Sequence, residues 1–241
     1  GRVTNTLVHE VDGDSGPDID AFVGVLDTAV ARLCTDAGGG CGSTGEVTRT
    51  TPPRTTEAPD FLGVVDLPPI ADVDRVWAAT SADADPNPAA TVCDKTAFDG
   101  DSVTSAASRV FVLFQATEVP EQFGITETVG RFTDEDAAKR FVAGVRKRIA
   151  ACADDIPTAS VDQREKVDVG GLSGATWRVG LEVSEGDRAF YRVGIVRRGD
   201  TVAQVLFTPA GKFDMSSETF ASVTARAGTR LRYADIADDP S

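Results

Sequence analysis

The sequence predicts an α+β fold in which an antiparallel sheet packs against two or three helices and is cross-linked by disulfides. Segments of alternating or continuous apolar residues, separated by Gly-containing turns, predict the sheet. Three stretches with apolar residues at helical spacing predict the helices, and four cysteines can supply the cross-links. With 241 residues, the chain is long enough to bury a large core.

The N-terminal part of the chain is predicted to form a strand, a helix and a linker. Residues 3–11 have the composition of a strand, and an acidic turn follows them. Asp18 can cap a helix over residues 19–34, where apolar side chains recur at spacings of three and four. Residues 42–60 are rich in Thr, Pro and Gly and lack an apolar face, which is typical of a linker. The predicted units are the N-terminal segment with its linker (1–57), an α+β domain (58–235) and a frayed tail (236–241).

The second part of the chain is predicted to form most of the sheet. A short amphipathic piece over residues 61–79 leads into it. Residues 109–116 are a nearly continuous apolar run, which predicts a central strand buried on both faces. Gly199 and Asp200 are expected to form a hairpin turn between the last two strands. The other predicted strands are residues 125–132, 175–183, 188–197 and 201–208.

Two helices are expected to pack on these strands. The clearer one begins at Thr133–Asp134, with acidic residues in its first turn and basic residues 146–148 near its expected end. This distribution of charge suits the helix dipole. Its apolar stripe ends at Cys152, which is therefore predicted to point inward. The other helix, residues 216–230, has an apolar face formed by Phe220, Val223 and Ala227.

Two segments of the chain resemble each other and indicate a partial internal duplication. In each, a strand and an acidic turn lead to a helix with Phe-Val near its start and Cys at its end. The two helices run from Phe22 to Cys34 and from Phe141 to Cys152. Chance similarity between two amphipathic helices rich in Ala and Val is the alternative. A true duplication would make the first copy incomplete, because it lacks the strands that follow the second helix.

The cysteines indicate two disulfides and an oxidising compartment. We favour Cys34–Cys41, because Gly38–Gly40 lets the short loop reverse, and this leaves Cys93–Cys152 as the second bridge. Four free thiols in a cytosolic protein are the alternative. The chain begins at Gly1 without an initiator methionine. We therefore expect an extracellular or cell-envelope location outside the cytoplasmic membrane, with a signal peptide, lipid anchor or membrane span upstream.

The charge and the histidine content argue against several classes of function. The chain has 38 acidic and 24 basic residues, and a net charge of −14 disfavours binding to nucleic-acid phosphates. The acidity is concentrated in residues 1–125, which contain 7 basic and 20 acidic residues. His9 is the only histidine, so a histidine-based triad or a typical zinc site lacks its usual parts. We expect no cofactor, and no run of about 18 apolar residues predicts a membrane-spanning helix.

Two short motifs resemble catalytic or metal sites but favour simpler interpretations. Residues 171–175 nearly match Gly-x-Ser-x-Gly, yet a strand follows them and no histidine lies downstream, which favours a β-turn. Asp12, Asp14 and Asp18 have the composition of a calcium loop, but the spacing and terminal Glu of an EF-hand are missing. A solvated turn with a helix cap is the favoured interpretation. No catalytic residue is predicted.

Aromatic and basic side chains offer two further binding candidates. Trp77, Trp177 and Tyr191 could stack on a ligand, although their positions favour core packing. The helix that begins at Thr133–Asp134 has a basic face that could meet an anionic polymer or a lipid surface. Pairing of this face with Glu135 and Asp136 is the favoured alternative. The basic face consists of Lys139, Arg140, Arg146, Lys147 and Arg148.

Several segments resemble a known family in their order and spacing. They are FLGVVDLPP at residues 61–69, the Trp77 segment, TVCDK at 91–95, IAAC at 149–152, and the strands containing Trp177 and VAQVL at 202–206. In this pattern, residues 58–235 resemble the PknH-like extracellular sensor domains of actinobacteria, which occur in secreted lipoproteins and receptor serine/threonine kinases. The resemblance implies an antiparallel sheet with packed helices, a cleft and two disulfides, and it supplies no catalytic residues. Residues 1–57, with Cys34 and Cys41, depart from the family pattern.

Taken together, these features predict an extracytoplasmic, non-catalytic domain that binds a small molecule or an envelope component, as a sensor or an anchored lipoprotein. One alternative is a protein–protein interaction or structural envelope module whose acidic N-terminal half meets a basic partner. A second alternative is a hydrolase that uses carboxylates only. A deep pocket would favour ligand binding, a flat patch would favour interaction, and two facing carboxylates in a cleft would favour the enzyme.

Overall fold

The computed structural model describes residues 23–25, 27–29, 31–32, 58–83, 89–184 and 187–234. The chain divides into two units, Gly1–Pro52 and Pro53–Ser241. In the first unit, the described residues have helical backbone, within the segment that the sequence predicts to be a helix. The predicted N-terminal strand, most of the linker, the Cys34–Cys41 bridge and the tail lie outside the described residues. The same holds for most of the first copy of the predicted duplication.

Seven antiparallel strands form one sheet in the second unit, which confirms the predicted fold class. Their spatial order is β1-β2-β3-β7-β6-β5-β4, so β1 and β4 are the two edges. Gly199, at a φ of +57°, forms the predicted hairpin turn between β6 and β7. The strands are β1 (Trp77–Ala79), β2 (Val103–Leu113), β3 (Gly124–Phe132), β4 (Ala159–Val167), β5 (Ser173–Ser184), β6 (Asp187–Arg198) and β7 (Thr201–Thr208).

The strand that is buried on both faces is β7, in the middle of the sheet. Seven of its eight residues, from Thr201 to Phe207, are buried. The prediction that residues 109–116 form this central strand is wrong. Residues 109–113 are the last part of β2, which lies next to the three-residue edge strand β1, and residues 114–116 follow the strand. Phe111 and Leu113 are buried, whereas Val112 is 39 % and Phe114 is 55 % exposed, so one face of this end of the sheet is covered and the other is open among the described residues.

The helices cover opposite faces of the sheet and begin where the sequence predicts. The helix α1 (Glu135–Asp155) is capped by Asp134, whose Oδ1 accepts a hydrogen bond from Ala137 N at 2.7 Å. The helix α2 (Ser217–Arg230) is capped by Ser216, whose Oγ accepts from Thr219 N at 3.1 Å. Each cap satisfies a backbone donor that the helix leaves unpaired. None of the described helices is long and apolar enough to cross a membrane.

The helix α1 extends further than the sequence predicts. It continues past Cys152 to Asp155, and Ile156 N donates to Cys152 O at 2.8 Å. Residues 146–148 therefore lie in the body of the helix, and the prediction that they stabilise its C-terminal dipole is wrong. The last turn instead carries two acidic residues, Asp154 and Asp155.

Two hydrophobic clusters lie on the two faces of the sheet. The α1-side cluster joins Val142, Val145 and Ile149 of the helix to the strands. The α2-side cluster includes Phe220, Val223 and Ala227, as predicted, and also residues 58–73, which we call the cover segment. This segment contains one short 3-10 helix, Val64–Asp66, and a second one, Leu231–Tyr233, follows α2. The buried side chains of the cover segment are Ala58, Phe61, Leu62, Leu67, Ile70 and Val73.

The predicted disulfide Cys93–Cys152 joins the loop of residues 89–99 to α1. Both cysteines are buried in the α1-side cluster. A second anchor of the loop is Asp94, which is fully buried and accepts hydrogen bonds from Thr96 Oγ1 at 2.6 Å and from Gln204 Nε2 at 2.8 Å. The loop is thus fixed to the helix by a covalent bond and to the central strand by a buried carboxylate.

Replacing both Cys93 and Cys152 by Ser is expected to lower the free energy of unfolding by about 4 kcal/mol, because the bridge closes a loop of 59 residues. Urea denaturation of the two proteins measures the difference. Dithiothreitol should destabilise the wild type far more than the double variant. This comparison controls for any effect of reducing Cys34 and Cys41. A double variant as stable as the wild type would contradict the structural role of this bridge.

Candidate functional site

The aromatic candidates lie in the core. Trp77 is 7 % exposed, its Nε1 donates to Pro68 O at 2.7 Å, and its ring stacks on Phe123 with the centroids 6.1 Å apart. Trp177 is 5 % exposed in the α1-side cluster, and Tyr191 packs against the same cluster. The favoured interpretation, core packing, is therefore confirmed for the two tryptophans, whereas Tyr191 is half-buried. Trp77 belongs to the α2-side cluster and Trp177 to the α1-side cluster, so the three rings do not share one site.

The motif candidates also have structural roles where the structure describes them. Gly170 and Gly171 have positive φ values of 57° and 80° in a turn, and Ser173 is the first residue of β5. A turn therefore covers residues 169–172, where Leu172 N donates to Val169 O at 3.0 Å, and the rest of the motif lies in the strand. Asp12, Asp14 and Asp18 lie outside the described residues. Among the residues that the structure describes, no three His, Cys, Asp or Glu side chains are grouped to hold a metal ion.

The basic face of α1 is partly neutralised, as the favoured interpretation predicts. Lys139 Nζ lies 3.0 Å from Glu135 Oε1 and 3.2 Å from Asp136 Oδ1. Arg148 Nε donates to Asp94 O at 2.6 Å, so this side chain supports the disulfide-bonded loop. Arg146 differs from these residues and is considered below.

A groove of about 540 Å³ lies where the edge strand β4 runs beside α2. One wall is the chain from Glu165 to Val169, and the other is formed by Glu218, Ala221, Ser222 and Ala225 of α2. We call it the β4–α2 groove. It is larger than the cavity of about 130 Å³ next to the cover segment. Its volume is in the range of small-molecule sites, roughly 300–1,000 Å³.

The β4–α2 groove presents more acidic than basic groups. Lys166 Nζ lies 2.5 Å from Asp168 Oδ2, and this hydrogen bond and its charge lower the pKa of Asp168. Lys166 is thus already paired, whereas the exposed carboxylates of Glu165 and Glu218 add two further negative charges to the rim. The hydroxyl of Ser222 is exposed on the helix wall. These groups can accept hydrogen bonds from a polar or cationic ligand.

The wall formed by α2 is set by close packing against the sheet. A Cβ atom on Gly194 of β6 would lie 2.4 Å from Thr224 Oγ1, and one on Gly228 would lie 2.7 Å from Val196 Cγ2. Real Cβ atoms do not approach other atoms so closely, so glycine at both positions allows the helix to lie against the strands. Packing in the core, and not a flexible loop, therefore fixes the position of this wall of the groove.

Arg192 of β6 connects both walls of the groove. Its Nε and Nη2 donate to the two carboxylate oxygens of Asp214 at 2.7 and 2.8 Å, just before α2 begins. Its Nη1 donates to Ser217 Oγ at 3.3 Å and to Gln163 Oε1 at 3.2 Å. Gln163 has a φ of 50° in the bulge where β4 changes its register with β5. One guanidinium thus fixes the start of α2 relative to β4.

Replacing Arg192 by Met is expected to lower the free energy of unfolding by about 3 kcal/mol, because it leaves Asp214 without its charge partner. Arg192→Lys should lose less, since it keeps the charge but not the two parallel hydrogen bonds. Chemical denaturation measures both. Arg188→Met, at an exposed position of the same strand, is the control. Equal stabilities for the Arg188 and Arg192 variants would show that this connection is dispensable.

Glu127 of β3 is a fully buried carboxyl group beneath the cover segment. Its Oε2 accepts a hydrogen bond from Leu62 N at 2.7 Å, and its Oε1 has no hydrogen-bond partner among the described residues. Burial raises the pKa of Glu127 from 4.5 to about 8. The Leu62 hydrogen bond opposes this rise, Asp60 and Asp66 add to it, and Arg109 reduces it. At neutral pH, the carboxyl group is therefore protonated and neutral.

The Glu127 carboxyl makes stability depend on pH in a defined direction. The folded state holds a proton up to a pKa of about 8, whereas the unfolded chain releases it near 4.5. The contribution of this proton to the free energy of unfolding is complete below pH 4.5. It falls by about 1.4 kcal/mol per pH unit as the pH rises from 4.5 to 8. We expect Glu127→Gln to remove this dependence, so that the variant gains stability relative to the wild type as the pH rises.

Denaturation midpoints measured from pH 4 to pH 9 test this expectation. Glu121→Gln, at an exposed position just before β3, is the matched control and should follow the wild type. If the difference between the Glu127 variant and the wild type stays constant across this range, the carboxyl group is not protonated in the folded state.

No protein-family model matches the chain, and no curated protein sequence matches it. The resemblance to the PknH-like sensor domains therefore remains a prediction that rests on the residues quoted above.

Proposed function

We propose that this chain is an extracytoplasmic, non-catalytic binding domain, acting as a sensor or envelope protein, and that the β4–α2 groove is its ligand site. The observation that carries the proposal is the groove itself. It combines a volume of about 540 Å³ with charged and hydroxyl side chains on two walls that the core holds in place. Ligand sites place a few polar groups at fixed positions on a concave surface, and this groove has that property.

The lining of the groove favours a polar ligand. Small side chains of α2, Ala221 and Ala225, give the groove its depth, and Glu165 and Glu218 give it negative charge. A ligand that carries hydroxyl or amino groups would donate hydrogen bonds to these carboxylates. A purely apolar ligand would leave them without partners, which is unfavourable.

A location outside the cytoplasm is supported by the disulfide. Cys93–Cys152 is buried and connects elements 59 residues apart, as structural bridges of exported domains do. The pattern of segments shared with the PknH-like sensor domains supports the same location. An anchor upstream of the chain would then hold the domain at the membrane surface.

A binding role is favoured over carboxylate-based hydrolysis by the position of Glu127. A raised pKa is typical of catalytic acids, yet this side chain is sealed beneath the backbone of Leu62. It lies on β3, four strands from β4, which is about 19 Å across the sheet. The acidic groups of the groove are therefore separate from the one whose pKa is raised.

The proposal is tested by a thermal-shift screen of polar metabolites and envelope-derived saccharides and peptides. A ligand of the groove should raise the melting temperature of the wild type. Ser222→Trp, at an exposed position of the groove wall, should abolish the shift by filling the groove. Ala150→Trp, at an exposed position of α1, is the matched control and should respond like the wild type.

Two results would contradict the proposal. A compound that stabilises the wild type and Ser222→Trp equally would bind outside the groove. A screen without any stabilising compound would favour the interaction or structural module over the ligand-binding domain.

A further inference from the structure

We propose that basic side chains between α1 and the β4 edge bind a phosphate group. The site, which we call the Arg146 cluster, consists of Arg146 of α1, Arg164 and Lys166 of β4, and Arg197 of β6. It lies on the α1 side of the sheet, whereas the β4–α2 groove lies toward α2, and Lys166 is common to both. The inference therefore goes beyond the function proposed above and does not rest on it.

Strand register places two of these residues on one face. Lys166 is paired with Ala175, whose side chain is buried in the α1-side cluster. Arg197 lies two residues after Ile195, which belongs to the same cluster. Lys166 and Arg197 therefore lie on the face of the sheet that α1 covers. Arg164 lies in the bulge of β4, and its charge acts on Arg146 of α1.

Arg146 brings an unsatisfied donor to this face. Its Nε is buried and has no hydrogen-bond partner among the described residues. Two other arginines that are buried or half-buried are paired, since Arg192 binds Asp214 and Arg230 Nη2 lies 2.8 Å from Asp66 Oδ2. A buried donor of a charged group is costly to leave unpaired. Arg146 as a whole is only half-buried, so the rest of its guanidinium group can reach an acceptor from outside the chain.

The charges around Arg146 are predominantly positive. Its pKa is lowered first by burial and then by the nearby charges of Arg164 and Arg197, while Asp168 acts in the opposite direction. Asp168 and Glu135, the carboxylates that face these basic groups, already have partners. Asp168 is bound by Lys166 at 2.5 Å, and Glu135 lies 3.1 Å from Arg197 and 3.0 Å from Lys139. In a chain with a net charge of −14, this is a local excess of positive charge.

Phosphate fits this environment better than a carboxylate does. It has three or four acceptor oxygens and a charge near −2, so it can accept from several guanidinium groups at once. A bound phosphate would supply acceptors for the guanidinium group of Arg146 and would offset the mutual repulsion of Arg146, Arg164 and Arg197. The same chemistry is offered by a soluble phosphate ester and by the headgroup of an anionic phospholipid.

The test is a titration with inorganic phosphate at constant ionic strength, with chloride as the balancing anion. The melting temperature of the wild type should rise saturably with phosphate. Arg146→Met should raise the phosphate concentration needed for half-saturation by about tenfold or more. Arg140→Met removes the same charge from an exposed position of the same helix and should respond like the wild type. Arg164→Gln, at an exposed strand position, tests the cluster again without altering a buried group.

Vesicle sedimentation distinguishes the two sources of phosphate. Binding to vesicles of phosphatidylglycerol and phosphatidylcholine, but not to phosphatidylcholine alone, would support a lipid headgroup if Arg146→Met abolishes it. Saturable phosphate binding without vesicle binding would support a soluble phosphate ester. The proposal is overturned if phosphate stabilises the wild type no more than chloride does. It is also overturned if Arg146→Met and Arg164→Gln respond to phosphate like the wild type.

Discussion

The hydrogen bonds of Arg192 are the constraint on which the candidate site depends. They connect β6 to Asp214 before α2, to Ser217 in its first turn, and to Gln163 in the bulge of β4. The glycine at position 194 lets α2 approach the strands, but it does not determine where the helix begins. A planar guanidinium with five donors can fix three elements at once, which a lysine cannot do. The residues that line the two walls of the groove come directly after these anchored residues in the chain.

Buried carboxyl groups perform the corresponding task for the disulfide-bonded loop and the cover segment, which contain no strand and no α-helix. On the α1 side, Asp94 ties the disulfide-bonded loop to Gln204 of the central strand. On the α2 side, Glu127 ties the cover segment to β3 through Leu62 N. An apolar surface alone would let such segments shift, because hydrophobic contacts have no direction. A buried hydrogen bond specifies one position, and the raised pKa of Glu127 reflects the cost of placing that group away from water.

The sequence predicts the parts of this fold whose burial follows a regular period. The strand predicted at residues 201–208 is β7, and the helix predicted at residues 216–230 is α2. The apolar run at residues 109–116 was misleading, because hydrophobicity does not show whether a neighbouring element covers both faces. The edge strand β4 was missed entirely, since only its terminal residues, Ala159 and Val167, are buried and five consecutive residues between them are exposed. Without β4, neither the groove nor the Arg146 cluster could be predicted.

The polar side chains of β4 make the strand hard to predict from the sequence, and they also form parts of both proposed binding sites. An edge strand pairs on one side only, so its side chains are free to be polar, and its charges also discourage pairing with other chains. In this protein, Glu165 lies at the groove beside α2, whereas the charge of Arg164 acts on Arg146 of α1. Adjacent residues of a strand point to opposite faces, so the strand can present opposite charges to its two flanking helices. The proposed small-molecule site and the proposed phosphate site are thus two consequences of one polar strand.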